Sequence, residues 1–201
     1  MQNLYCNNNN IINLDNLPPG LQKLNCSFNN ITRLNNLPPG LQILYCYNNA
    51  IDMLDNLPPG LLELYCSWNK KITSLDNLPP GLQTLDCSWN KNITSLDNLP
   101  PRLVELYCSF NNITRLDNLP PGLQILYCKS NTIVQLDNLP QGLQYLDCSG
   151  NAIAGLDNLP QGLLELYCKN NPLQYDFKPT IENIRNNNNA SRHTSSNTIK
   201  N

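Results

Sequence analysis

Leu41-Gln42-Ile43-Leu44-Tyr45-Cys46-Tyr47-Asn48-Asn49-Ala50-Ile51-Asp52-Met53-Leu54-Asp55-Asn56-Leu57-Pro58-Pro59-Gly60 is one complete turn of a pattern that fills most of the chain. The same order of residue types returns around Cys6, Cys26, Cys46, Cys66, Cys87, Cys108, Cys128, Cys148 and Cys168, each followed three residues later by Asn. Successive cysteines are separated by 20, 20, 20, 21, 21, 20, 20 and 20 residues. The unit is L-x-x-L-x-C-x-x-N-x-I-x-x-L-D-N-L-P-P-G, and self-similarity at such a period marks a solenoid in which each unit buries its apolar side against its neighbours. The two longer units place their extra residue between Asn and Ile, at Lys70-Lys71 and Lys91-Asn92, where a surface loop tolerates insertion.

Working outward from that unit, apolar residues alternate through Leu44-Tyr45-Cys46, the pattern of a strand with one buried face. Identical strands one repeat apart stack parallel and in register, and nine of them about 4.8 Å apart make a ribbon on the order of 40 Å long. The return path from Leu34 to Gly40 holds two prolines and a glycine, too short and too broken for a crossover helix. The expected fold is a β-rich solenoid: a parallel sheet of about nine short strands on the concave side of a shallow arc, with an extended, polyproline-like convex side.

The signature L-x-x-L-x-C-x-x-N-x-I resembles the leucine-rich-repeat signature L-x-x-L-x-L-x-x-N-x-L, with Cys in its third apolar slot, and the resemblance covers residues 1–173. The short period and recurrent Leu-Pro are similar to repeats of secreted bacterial effectors. The Cys-x-x-Asn form and the Asn runs resemble repeats of amoeba-infecting giant viruses. The resemblance implies a horseshoe that binds proteins. Some similar bacterial repeats precede a ubiquitin-ligase domain with a catalytic Cys, but only about 28 residues follow this array and none is Cys, so that activity is not carried over.

Each recurring polar column has a structural expectation. A buried Asn amide donates to and accepts from loop backbone that no strand ladder satisfies, so nine of them tie successive turns together. Nine cysteines cannot all pair with one another, and a linear file of inward sulfurs cannot converge on a tetrahedral zinc. They are expected to be free, buried, small hydrophobes in a reducing compartment. The Asp of L-D-N-L-P is expected to build a turn by accepting from nearby backbone N–H groups. Arg102 stands where other repeats have Gly, and marks a strained turn if that Gly needs a positive φ.

The chain has 201 residues with 36 Leu, 36 Asn, 16 Pro and one His, and a formal net charge of −2. That charge gives no reason to expect nucleic-acid binding, and a single His leaves little stock for catalysis or metal ligation. No window is long and apolar enough to span a membrane and no signal peptide is evident, so the expectations are a cytoplasmic location, no enzyme activity, no cofactor and no metal. Pro172 to Arg185 leaves the repeat; residues 174–185 are expected to cap the array, with a short helix over Thr180-Ile181 and Ile184, and 186–201 to be a disordered polar tail. The N-terminal side has no evident cap, which allows self-association through that edge.

Function is left to the columns that vary. Between Leu and Cys the chain reads Tyr5, Asn25, Tyr45, Tyr65, Asp86, Tyr107, Tyr127, Asp147 and Tyr167, an aromatic column suited to interface contacts. Glu63, Asp86 and Glu105 form an acidic patch at its centre, Tyr47 lies in the column after Cys, and Trp68 and Trp89 lie at the edge with Phe28 and Phe110. The expected partner is a protein or peptide held on this face through a basic residue opposite Asp86. The competing expectation is a passive structural or decoy array whose tyrosines merely shield the sheet.

Overall fold

The computed structural model describes residues 2–188. Nine strands follow one another in space as in sequence: β1 (Gln2–Tyr5), β2 (Leu21–Asn25), β3 (Ile43–Tyr45), β4 (Glu63–Tyr65), β5 (Thr84–Asp86), β6 (Glu105–Tyr107), β7 (Ile125–Tyr127), β8 (Tyr145–Asp147) and β9 (Glu165–Tyr167). All neighbours pair in parallel, with Leu44, Leu64 and Leu85 opposite one another as the repeat demands. Each three-residue strand is prolonged by bonds from the next residues: Cys46 N donates to Tyr65 O at 2.9 Å and Asn48 N to Ser67 O at 2.9 Å. The interior is Leu, Ile and Cys; from Leu21 to Leu156 nearly every inward side chain is at most a few per cent exposed.

The asparagine ladder is present and has a definite geometry. Asn69 Nδ2 donates to Cys66 O of its own coil and to Cys46 O of the preceding one, both at 3.0 Å. Its Oδ1 accepts from Ile51 N at 3.1 Å. One amide therefore satisfies backbone groups on two coils, which would otherwise be buried without partners. The inserted residues reroute the ladder without breaking it. In the two long units the Ile N–H turns back to its own Asn (Ile72 N to Asn69 O, 3.0 Å; Ile93 N to Asn90 O, 2.8 Å), and the next amide accepts instead from the Asn N–H, as in Asn69 N to Asn90 Oδ1 at 2.6 Å.

The return path holds turns and bends and no helix. Two expectations about it are corrected. Leu41 N donates to Pro38 O at 3.1 Å across Pro39-Gly40, a β-turn, yet the glycines of these turns do not have positive φ, since Gly150 alone among the described glycines does. A turn with proline second and a non-positive third residue accepts most side chains, and the same bond from Leu103 N to Pro100 O at 3.1 Å closes over Arg102, which is exposed and unstrained. The Asp column, in turn, accepts from side chains: Ser74 Oγ to Asp76 at 2.5 Å, and Asn36 Nδ2 of the next coil to Asp15 at 3.3 Å. The residue that makes the bend is the following Asn, with φ between 57° and 62° at Asn16, Asn36, Asn56, Asn98 and Asn118, the left-handed region in which Asn is enriched.

After β9 the chain covers the last coil. Thr180 Oγ1 accepts from Asn183 N at 3.2 Å, an N-cap bond, and starts helix α1, described over 181–188. Ile184 is fully buried, Leu173, Tyr175, Phe177 and Ile181 pack against the core, and Tyr175 Oη accepts from Leu156 N at 2.6 Å. The helix runs three residues past Arg185; the remainder of the expected polar tail, from 189, lies outside the described residues. At the other end Leu4, Cys6 and Ile11 are only partly buried, and among the described residues nothing pairs with the outer edge of β1.

Candidate functional site

Strand alternation alone decides what faces outward. In β3 to β8 the middle residue is buried and the two flanking residues are half-exposed, so the Tyr column and the column before it share one surface, while the residue after Cys is buried where it is Ser27, Ser67, Ser109 or Ser149. On that surface the rings organise into two stacks. Tyr45 lies parallel to Tyr65, with centroids 4.5 Å apart. Farther along, Tyr107, Tyr127, Tyr145 and Tyr167 follow at 5.0, 4.5 and 5.5 Å.

Asp86 separates these stacks. Its Oδ1 accepts from Ser88 N at 3.0 Å, a bond that Asn25 and Asp147 make in their own repeats. Glu63 and Glu105 flank it on β4 and β6 and accept from the phenols of Tyr65 (3.2 Å) and Tyr107 (3.0 Å). Among the described residues none of the three carboxylates has an ion-pair partner, the salt bridges being Arg33–Asp52 and Arg115–Asp117. Burial, the Glu105 bond and the surrounding negative charge push the Tyr107 phenol up to about 12. Burial and then Glu63 raise Tyr65, while at Tyr167 the bond to Glu165 acts first. The phenols therefore serve as donors to the carboxylates.

A second aromatic series runs along the edge. The residue before each ladder Asn is left-handed in every repeat, and in four of them it is bulky: Phe28 (φ 54°), Trp68 (58°), Trp89 (59°) and Phe110 (59°). Trp68 stacks on Trp89 at 4.4 Å and Trp89 on Phe110 at 3.9 Å. At Asn48 the series lacks a ring, and there a cavity of about 620 Å³ opens between Phe28 and Trp68, reaching Tyr45, Tyr47, Tyr65 and Asp86.

Of the expected site residues, Tyr45, Tyr47, Tyr65, Trp68 and Asp86 line one cavity, with Glu63 on the strand that carries Tyr65. Trp89 lies behind Trp68; Glu105 and Tyr107 lie across Asp86; Tyr127 and Tyr167 belong to the separate C-terminal stack. Sequence reasoning missed Tyr145, which joins Tyr127 to Tyr167, and the role of Phe28 and Asn48 as wall and notch. The signal for Asn48 is the interruption of an aromatic series by a small polar residue.

The cysteines belong to the inner file beneath this face. All nine are free, and burial raises their thiols, Cys26 and Cys148 to about 12. Such thiols are poor nucleophiles. Among the described residues no group of three or more His, Cys, Asp or Glu is placed to hold a metal ion, and no helix is long and apolar enough to cross a membrane.

A file of inward Leu and Cys, an Asn amide ladder and a parallel ribbon with a helix-free back together specify one architecture. The chain is a leucine-rich-repeat solenoid. No protein-family model and no curated protein sequence matches it, whereas solved leucine-rich-repeat structures do. YopM from Yersinia enterocolitica WA-314 is similar at 31% identity and a TM-score of 0.65, over 87% of this chain and 48% of that one. The functional domain of InlJ from Listeria monocytogenes, described as including a cysteine ladder, is similar at 36% identity and a TM-score of 0.72, over 85% of this chain and 44% of that one. The leucine-rich-repeat domain of a Shigella effector is similar at 25% identity and a TM-score of 0.55, over 98% and 77%. The chain thus spans about half the length of the first two. Their fold supports a protein-interaction scaffold.

Proposed function

We propose that this leucine-rich-repeat chain is a non-enzymatic scaffold that holds a protein or peptide against the outer face of its sheet, with residues 1–173 as the binding array and 174–185 as its cap. The contact residues are Tyr45, Tyr47, Glu63, Tyr65, Trp68, Asp86, Trp89, Glu105, Tyr107, Tyr127 and Tyr167. One observation carries this reading: the inward columns are nearly uniform, while the outward ones vary and concentrate half-exposed aromatic rings around an unpaired acidic centre. Large, rigid rings with polar tips suit interface contacts, and contiguous exposed apolar patches mark interaction surfaces. The role as a virus or pathogen factor acting on host proteins in host cytoplasm rests on the resemblance of the repeats and on the likeness to an effector domain. Self-association through the open edge of β1 is a further contact, and sedimentation that shows only monomer at high concentration removes it.

Capture from eukaryotic cytosol tests the main reading. The wild-type chain should retain a reproducible partner that the combined Tyr65→Ser, Tyr107→Ser, Asp86→Ser variant loses. If every retained protein stays bound to the variant, the outer face is not the binding surface. A passive array is the second reading, favoured by the stacking of Tyr107, Tyr127, Tyr145 and Tyr167 on one another, which covers their faces without a ligand. It predicts no partner-specific retention at all, and it leaves the cavity beside Asp86 without a role.

A further inference from the structure

The edge series of aromatic residues is costly where it stands. A non-glycine residue at positive φ is uncommon, a bulky one more so, and the left-handed conformation costs roughly 1–2 kcal/mol per residue. Elsewhere the same column is filled by residues that tolerate it better: Asn8, Asn48, Ser130, Gly150 and Asn170. Gly150 shows the crowding, because a Cβ there meets Ser130 Oγ at 3.2 Å. Phe28, Trp68, Trp89 and Phe110 nevertheless occupy it, and Phe28 and Trp68 remain 46% and 41% exposed. Strain of this kind, at exposed rings that contribute little to the core, is characteristic of binding sites.

Along the ribbon the notch at Asn48 is one planar group wide. Phe28 and Trp68 stand two repeats apart, about 9.6 Å at the spacing of neighbouring strands, and rings in this series stack at 3.9 to 4.4 Å. Trp68 already has Trp89 against one face. Tyr47, edge-on to Phe28 at 5.2 Å, and the parallel Tyr45–Tyr65 pair complete an aromatic lining. Asp86 supplies the charge: Oδ1 is held by Ser88 N, which fixes the carboxylate, and Oδ2 has no donor among the described residues. Glu63 stands on the adjacent strand, and its Oε2 accepts only from Tyr65. The cations near the cavity belong to Lys23, with Nζ 5.1 Å from the Tyr45 centroid, and Lys70, with Nζ 6.0 Å from the Trp68 centroid. Both sit over ring faces and neither pairs with Asp86 or Glu63.

We infer that the notch between Phe28 and Trp68 is a pocket for an arginine side chain of the partner, its guanidinium stacked on Trp68 and directed at Asp86. This deepens the proposed function and rests on it for the claim that the arginine belongs to a protein. Only one common side chain meets all the demands: the rings of Phe, Tyr and Trp are planar but uncharged, an ammonium is charged but not planar, an imidazole is largely neutral at pH 7 and has no parallel pair of donors, and a guanidinium is planar, always charged and forked for a carboxylate. Lys70 sits over the ring on which an incoming guanidinium stacks, so that lysine competes with it.

The chain has two tryptophans, Trp68 and Trp89, so their indole N–H signals report the pocket directly in NMR. The full chain is titrated with N-acetylarginine amide and, separately, with the corresponding lysine, citrulline and phenylalanine amides. Arginine should shift the Trp68 indole saturably, and citrulline and lysine at least about tenfold more weakly. Asn48→Phe fills the notch with a ring this column already accepts at Phe28 and Phe110, and should abolish saturation. Asp86→Asn keeps the bond to Ser88 N, as Asn25 does to Ser27 N at 3.1 Å, and should weaken arginine about tenfold while leaving the melting temperature in place. Lys70→Ala should tighten arginine severalfold. Equal saturation by citrulline, stronger saturation by phenylalanine, or undiminished binding to Asn48→Phe each overturn the assignment. These readouts need no partner, so their failure is distinguishable from failure of the capture experiment: a pocket that takes arginine stands even if nothing is captured from cytosol, and a captured partner does not rescue a pocket that ignores arginine.

Discussion

The tyrosine column is interrupted by aspartate twice within the array, at Asp86 and at Asp147, and the two places are treated differently. Both carboxylates accept from the backbone N–H two residues on, at 3.0 Å, so the local backbone is the same. At Asp147 the residue two positions earlier is Tyr145, whose ring comes within 4.5 Å of Tyr127 and 5.5 Å of Tyr167 and closes the break. At Asp86 the equivalent residue is Thr84, which has no ring to offer, and Tyr65 and Tyr107 are left two strands apart. The rings of β7–β9 therefore run on without a break, to a Tyr167 that is 46% exposed, whereas in β4–β6 the run is broken by an outward acidic centre. An aromatic sheet face becomes receptive where a neighbouring column fails to fill a gap, and not simply where tyrosines are many.

The largest expected difference between the two stretches lies beneath the face. Cys66, Cys87 and Cys108 are fully buried, and in each the Asp86 charge adds to burial in raising the thiol. Cys148 is pushed up to about 12, and Cys168, at the end of the array, is raised by burial alone. A folded-state thiol held above its ordinary 9.0 contributes stability that is complete below that pH, because the unfolded chain ionises first, and that drains away as pH climbs through the folded value. The limiting slope is about 1.4 kcal/mol per pH unit for each such thiol. Stability should consequently be flat to about pH 9 and fall steeply above it. Alkylation with iodoacetamide across pH 7 to 11, followed by peptide mapping, should label Cys168 before Cys148, with Cys66, Cys87 and Cys108 at least about a hundredfold slower. Central thiols that react as fast as Cys168 would mean that the inner file is not closed under β4–β6, and the contrast would fail there.

What the sequence revealed of this contrast follows from how a repeat encodes structure. A column such as Leu44, Leu64 and Leu85 meets the same environment in every turn, so strand order, register and the inner file are legible from periodicity alone. The left-handed Asn of L-D-N-L was hidden because its neighbour Asp looked like the turn former, and Gly40 and its equivalents suggested a positive φ that their β-turn does not use. Trp68 and Trp89 were visible as edge residues, but their left-handed backbone was not, since bulky side chains argue against it. The cavity was least legible. It depends on Phe28, Asn48, Tyr65 and Asp86 from four successive turns, divided between two columns, and no single column contains it. Tyr145 escaped for the same reason: its ring leaves its own column to fill a break in the next one.

That crossing between columns can be reversed by substitution, which gives the smaller but more direct test. Tyr145→Thr should remove two ring contacts, cost about 1–2 kcal/mol in denaturant unfolding, and leave Asp147 as open as Asp86. Thr84→Tyr should do the reverse: a ring on β5 would bridge Tyr65 and Tyr107, with a gain of up to about 1 kcal/mol, and close the acidic centre. The first variant should retain whatever the wild type captures, because it leaves every proposed contact residue and the acidic centre of β4–β6 in place, and the second should lose it. Capture that survives Thr84→Tyr and disappears with Tyr145→Thr would place the contact on the continuous C-terminal stack. The ring-filled surface would then be the working one, and the break at Asp86 would be only a consequence of the local turn that its carboxylate builds.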